Sequence, residues 1–228
     1  MKIEYVNKIR GREVKSKAIS HLKASINDIK KPESLNIIKI MNPKLIPFDL
    51  MARLKCFQCG IYNRAILCPP YLFQTYPQFK TIKSTRKFMN SFDYMVVFVF
   101  QNDGTKSWKI DKRELSHIEL KKKVAKQLKG TEAGQSREIG KLMRKYSNKF
   151  KKLGYKTFPL INGHCDLCAH KCPRRDNPPC PNHGMPSLES CYIDVYELLR
   201  ILNINYEYPV NELLTGVAAI LIKEDYNE

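Results

Sequence analysis

The eight cysteines of this 228-residue chain fall into two compact groups, and no other feature constrains the fold as strongly. The upstream group contains a C-x2-C pair and a third cysteine that precedes two prolines: Cys56, Cys59 and Cys68. The downstream group is a C-x2-C-x3-C run followed by two single cysteines: Cys165, Cys168, Cys172, Cys180 and Cys191. A span of 96 residues separates Cys68 from Cys165, so a fold that uses both groups must bring distant loops together.

The spacing of these cysteines is typical of metal ligands. A C-x2-C turn places two thiolates on one side of a tight loop and directs backbone N–H groups at the sulfurs, which suits a thiophilic metal or an iron–sulfur cluster. Proline directly follows Cys68, Cys172 and Cys180, where it restricts the backbone and removes a competing donor. The C-x2-C-x3-C-P run is a spacing that ferredoxin-type proteins use.

Three interpretations compete for the eight thiols. Disulfides are disfavoured because the chain opens with charged residues over Met1–Lys8 in place of an apolar secretory signal, and a chain of this size can form a core without staples. Zinc is the stronger competitor, but two closed zinc sites would draw on more C-x2-C pairs or on histidine. The single cysteines followed by proline favour iron–sulfur chemistry, and two [4Fe-4S] clusters would use all eight thiolates.

The order of motifs resembles a prokaryotic, cysteine-rich family of unknown function whose members are described only as predicted metal-binding proteins. The resemblance runs from about Asp49 onward and implies metal binding through these cysteines, without a defined reaction. Its motifs are R-L-K-C-x-x-C-G-x-Y at Arg53–Tyr62, C-P-P at Cys68–Pro70, G-x-C-x-x-C at Gly163–Cys168, P-C-x5-P at Pro179–Pro186 and S-L-E-x-C-x-I-D-V at Ser187–Val195. One departure is Tyr192, because that family usually has glycine after the last cysteine.

Within each group three cysteines are expected to share one metal centre, and each centre then needs a fourth ligand. The two triads are Cys56, Cys59, Cys68 and Cys165, Cys168, Cys172. Cys180 and Cys191 remain, and spacing alone does not pair them with a centre. In two-cluster ferredoxins the Cys-Pro ligand commonly serves the other cluster, an analogy that points Cys180 to the Cys56 centre. If one of the two is not a ligand, one cluster has an iron with an open coordination position, and the protein could then be a catalyst.

Other side chains near the cysteines have structural interpretations. His164, His170 and His183 could replace a cysteine, but supporting roles around the ligands are favoured. Phe73, Tyr76 and Phe79 are predicted as core aromatics, with the alternative that they shield a cluster from water.

Hydrophobic periodicity predicts an α/β protein. We expect a single iron–sulfur domain over residues 1–228, with a central mixed sheet flanked by helices, two cysteine-rich metal loops at one end, and a basic helical insertion at about 104–154. Helices are predicted at 15–30, 71–92, 111–129, 136–153 and from Ser187 or Leu188 onward, the last with Cys191 in its first turn. Extended segments are predicted at 37–40, 45–48, 94–101, 155–161 and 217–223, with 94–101 and 155–161 as buried strands.

The chain carries 40 basic and 22 acidic residues, a net charge of +18. Between Lys106 and Lys156 there are 17 basic and 5 acidic residues, which gives +12 of that total. Such a surface favours an acidic protein partner, for which five residues are docking candidates: Lys121, Lys122, Lys123, Arg144 and Lys145. Nucleic acid is less favoured because no recognised nucleic-acid-binding signature is present. The apolar runs are too short to span a bilayer, and a cytoplasmic protein is expected.

The pattern therefore predicts low-potential electron transfer in an anaerobic cell, to a redox enzyme or an enzyme-activation complex. An electron carrier or accessory subunit is favoured over a stand-alone catalyst. The alternative is a zinc-binding module that docks on RNA or another acidic partner.

Overall fold

The computed structural model describes residues 3–6, 16–29, 32, 34–58, 62, 66–103, 138–163, 165, 180, 184–207 and 213–224. The elements are β1 (Ile3–Val6), α1 (Ser16–Asn27), β2 (Leu35–Met41), α2 (Leu50–Gln58), α3 (Leu72–Thr75), α4 (Ile82–Met89), β3 (Tyr94–Asp103), α5 (138–152), β4 (Tyr155–Leu160), α6 (Val195–Ile201) and β5 (Leu213–Glu224). The helix predicted at 111–129 lies outside these residues. So do Cys59, Cys168, Cys172, Lys121, Lys122, Lys123, His164, His170 and His183.

The five strands form one sheet in the order β1-β2-β3-β5-β4. β1 is parallel to β2, and the other neighbours are antiparallel, so the sheet is mixed as predicted. Tyr94–Phe100 in β3 and Val217–Ile222 in β5 are buried throughout. An unbroken apolar strand fits a sheet that is covered on both faces.

Each face of the sheet has its own core, because alternate residues of a strand point to opposite sides. Met95, Val97 and Val99 of β3 face one of these cores. That core contains residues of α3, α4 and α6 together with Cys180 and Cys191. Val96 and Phe98 face the other core, which α1 and α5 cover. Of the predicted basic insertion, the structure describes the helix α5. This helix therefore packs on the sheet face opposite the buried cysteines.

The single helix predicted over 71–92 is wrong. α3 ends at Thr75, and a 3-10 turn at Pro77–Phe79 separates it from α4. Proline lacks the N–H that would continue a helix. Thr81 then starts α4 with a capping box, in which its hydroxyl accepts a 3.1 Å hydrogen bond from the Ser84 N–H.

Two further predictions of secondary structure fail at short turns. The helix predicted from Ser187 or Leu188 begins only at Val195, and Cys191 ends the 3-10 turn Glu189–Cys191 instead of lying in the first turn of a helix. The segment Leu45–Phe48 is not a strand: Leu45 closes a 3-10 turn, and Phe48 forms an isolated bridge with Ile193.

The remaining predicted strands are present. β4 appears where 155–161 predicts a strand, but its partner in the described sheet is β5 alone and most of its side chains are half-buried, so the prediction that this strand is buried is wrong. Among the described helices none is both long enough and apolar enough to cross a membrane.

Candidate metal centre

Residues 184–194 carry the last cysteine from the edge of the sheet to the helix that holds the first one. Near its start this segment is tied to the end of β4, where the Leu188 N–H donates to the Ile161 carbonyl over 3.0 Å. Near its end the Asp49 N–H donates to the Tyr192 carbonyl over 2.8 Å, directly before α2. Main-chain hydrogen bonds therefore join the upstream and downstream cysteine groups.

Gly184 marks the point where three cysteine-bearing segments meet. Its N–H donates to Cys180 Sγ over 3.4 Å. A Cβ at this position would lie 3.2 Å from Cys180 Sγ, 3.3 Å from Cys165 Sγ and 2.3 Å from Cδ1 of Leu67, the neighbour of Cys68. The distance between the two sulfurs therefore cannot exceed the sum of their distances from this Cβ. In the sequence, Cys165 and Cys180 are fifteen positions apart.

Cys191 and Cys56 form a second pair of neighbouring cysteines. α2, which carries Cys56, packs against the turn Glu189–Cys191. Cys191 is fully buried, and burial raises the pKa of its thiol; the Ser190 hydroxyl and the Arg53 charge oppose this rise, and a thiolate at Cys56 adds to it. The two sulfurs are therefore close enough to interact electrostatically, and the buried one needs a positive partner to be a thiolate.

Tyr192, the residue after Cys191, has the backbone conformation that glycine, the residue usual here in the resembled family, adopts easily. Tyr192 has φ 64°, in the left-handed region that favours glycine. Its ring centroid lies 3.4 Å from the Arg53 guanidinium carbon, and its hydroxyl donates to the Lys80 carbonyl over 3.0 Å. These contacts offset a backbone cost of about 1–2 kcal/mol, so the turn is retained without glycine.

Tyr76 lies near three of the described cysteines. Its hydroxyl donates to the Gly184 carbonyl over 3.1 Å. Burial raises the pKa of Tyr76 to about 12, and thiolates at three cysteines add to the rise: Cys180, Cys191 and Cys165. Its ring packs 5.7 Å from that of the fully buried Phe79. Tyr76 therefore packs with the core aromatics and also lies close to the cysteine sulfurs.

The structure brings the predicted ligands together in pairs. The five described cysteines are thiols: Cys56, Cys68, Cys165, Cys180 and Cys191. Within the described ranges, no group of three or more His, Cys, Asp or Glu side chains is placed to hold a metal ion. The cysteines that would enlarge each pair, Cys59 in one group and Cys168 and Cys172 in the other, lie outside those ranges. Cys180 lies beside Cys165, whereas the ferredoxin analogy pointed it to Cys56.

Sequence reasoning missed two residues of this region, Gly184 and Arg53. Gly184 follows Cys180 by four residues inside a quoted motif, and the need for a backbone N–H near a ligand sulfur is a signal that could have identified it. Arg53 stands in the motif around Cys56, and nothing in the local sequence shows that it is buried.

A family profile described as predicted metal-binding protein (DUF2284) matches residues 39–222, a range that contains all eight cysteines. No curated protein and no solved structure matches the chain.

Proposed function

Because the chain belongs to this family of predicted metal-binding proteins, we propose that it binds two [4Fe-4S] clusters and acts in low-potential electron transfer. The acceptor would be a redox enzyme or an enzyme-activation complex in the cytoplasm of an anaerobic cell. When bound, the clusters would supply one-electron redox chemistry. The chain itself would be an electron carrier or accessory subunit.

The observation that carries this proposal is the meeting of Cys165 and Cys180 at Gly184. A backbone N–H that donates to a sulfur, as Gly184 does to Cys180, stabilises a thiolate and is a common feature around metal–thiolate centres. Because Gly184 has no side chain, Leu67 and both sulfurs can pack closely around it. These residues therefore fit a thiolate-bound metal centre.

From these two pairs we propose a fourth ligand for each centre. In this assignment Cys180 completes the centre of Cys165, Cys168 and Cys172. Cys191 completes the centre of Cys56, Cys59 and Cys68. Tyr76, which lies near Cys180, Cys191 and Cys165, would exclude water from the region between the centres.

Metal analysis of protein purified without oxygen tests the proposal. We expect about eight iron atoms and eight acid-labile sulfides per chain, and a brown solution with broad visible absorption that dithionite bleaches. A colourless protein with about two zinc ions would contradict iron–sulfur chemistry. It would favour the zinc module that docks on RNA or another acidic partner, since the same thiols can hold zinc.

The basic surface is suited to binding an acidic partner, but the fold restricts where that partner can lie relative to the cysteines. Arg144 and Lys145 are exposed on α5, which packs on the sheet face opposite the buried cysteines. A partner held there is separated from Cys180 and Cys191 by a layer of helix and sheet. We therefore propose that these two residues contribute to binding strength and do not lie on the electron path.

Salt dependence tests electrostatic docking. A complex isolated from an anaerobic extract should weaken at least tenfold when the salt concentration rises from about 0.05 M to about 0.5 M, because the screening length falls to a few ångströms. Replacing the five docking residues by glutamine should remove most of that dependence. Replacing Lys83 and Lys87 of α4 by glutamine is the control on the other face, and a complex that resists salt would contradict the docking proposal.

A further inference from the structure

Arg53 is a buried cation in the middle of α2, one turn before Cys56. Its side chain is 7% exposed. The guanidinium donates to the Ser190 carbonyl from Nε (3.0 Å) and from Nη2 (2.5 Å), and Nη2 also donates to the Phe79 carbonyl (2.6 Å). The guanidinium thus joins α2 to two turns, one of which ends at Cys191.

The positive charge of Arg53 has no carboxylate partner within the described part of the chain. All its hydrogen-bond acceptors there are neutral carbonyls, and its guanidinium carbon lies 3.4 Å and 4.7 Å from the ring centroids of Tyr192 and Phe73. Burial lowers the pKa of Arg53. The groups whose negative charge would raise it are phenols and thiols: Tyr192, Cys191, Cys56 and Tyr62.

A buried cation is stable in a protein when an anion lies close to it. Among the described groups that would raise the pKa of Arg53, the sulfurs of Cys56 and Cys191 are the two that become anions when they bind a metal. Those sulfurs carry negative charge when they bind a metal, and a [4Fe-4S] cluster with four cysteines keeps a net charge of about −2. The charge of Arg53 therefore matches a metal–thiolate centre on these two residues.

We propose that Arg53 is a positioning residue that compensates the negative charge of the centre bound by Cys56 and Cys191. The inference rests on the proposed metal binding. Reduction adds a further negative charge to an iron–sulfur centre, and a nearby cation stabilises the reduced form more than the oxidised form. Arg53 thereby raises the reduction potential of one of the two centres and leaves the other, at Cys165 and Cys180, nearly unchanged.

Redox titration of the full-length protein, followed by electron paramagnetic resonance, tests this role with three variants. Arg53→Met removes the charge, and Arg53→Lys keeps the charge but loses the several N–H donors of the guanidinium. Lys141→Met is a control that removes an exposed charge from α5. In Arg53→Met we expect the equilibrium for reducing one centre to fall at least tenfold, about 59 mV for one electron. Arg53→Lys and Lys141→Met should each change it less than threefold.

The outcomes separate this inference from the proposed function. Two centres with unchanged potentials in Arg53→Met would overturn charge compensation. If Arg53→Met loses the centre or does not fold, Arg53→Lys decides: loss of the same centre there would assign Arg53 a purely structural role. A zinc-loaded wild type would overturn the iron–sulfur function alone, and Arg53→Met should then weaken zinc binding at one of two centres at least tenfold in competition with a chelator. A wild type that binds no metal would overturn both.

Discussion

Replacing Cys180 with serine is expected to remove the same half of the bound metal as replacing Cys165. Cys180 Sγ and Cys165 Sγ both lie within van der Waals distance of a Cβ built at Gly184, so we expect both to bind the same centre. Replacing Cys191 should remove the other half, as should replacing Cys56, because these two sulfurs interact electrostatically with each other and with Arg53. Iron per chain should fall from about eight to about four in each single variant.

Double variants give the sharper comparison. Cys165→Ser/Cys180→Ser should still hold about four irons, whereas Cys180→Ser/Cys191→Ser should hold almost none. The opposite result, with metal retained when Cys180 and Cys56 are replaced together, would favour the ferredoxin-like exchange of ligands over the assignment proposed here. A single variant that keeps all its iron would identify a cysteine that is not a ligand, and an open coordination position would then point to an enzyme.

Replacing Gly184 with alanine should destabilise the fold by about 1–3 kcal/mol and disrupt the centre at Cys165 and Cys180. The new methyl would overlap Leu67 Cδ1 at 2.3 Å and crowd both sulfurs. Leu67 is buried and has little room to move, so the segment that carries Cys68 would shift as well. Thermal unfolding and iron content would measure the two effects.

Gly154→Ala is the matched control, since it adds the same methyl at a position where no neighbouring atom is crowded. A Cβ at Gly154 would meet nothing within 4 Å, but φ is +85°, so the cost is backbone strain of about 1 kcal/mol. We therefore expect Gly154→Ala to lower stability and to keep its full iron content. Equal loss of iron in both variants would show that general destabilisation, and not crowding at the sulfurs, releases the metal.

Local sequence signals predicted the strands better than the turns. The apolar run of β3 identified a central strand because burial on both faces leaves no polar position in it. The break between α3 and α4 was missed although Pro77 and Thr81 mark it, because apolar spacing continues across both residues. The helix start at Val195 was missed because Tyr192 takes a left-handed conformation that its residue type disfavours.

The sequence by itself determined the family and predicted thiolate ligands. Thiol spacing, proline after cysteine and the order of motifs are properties of short segments, and short segments keep these properties wherever the fold places them. Only the tertiary structure decided which thiols become neighbours, that Leu67, Cys165 and Cys180 pack closely around Gly184, and that Arg53 is buried beside Cys56 and Cys191. These relations join residues far apart in the chain, and they exist only once the sheet and the segment 184–194 bring the two cysteine groups together.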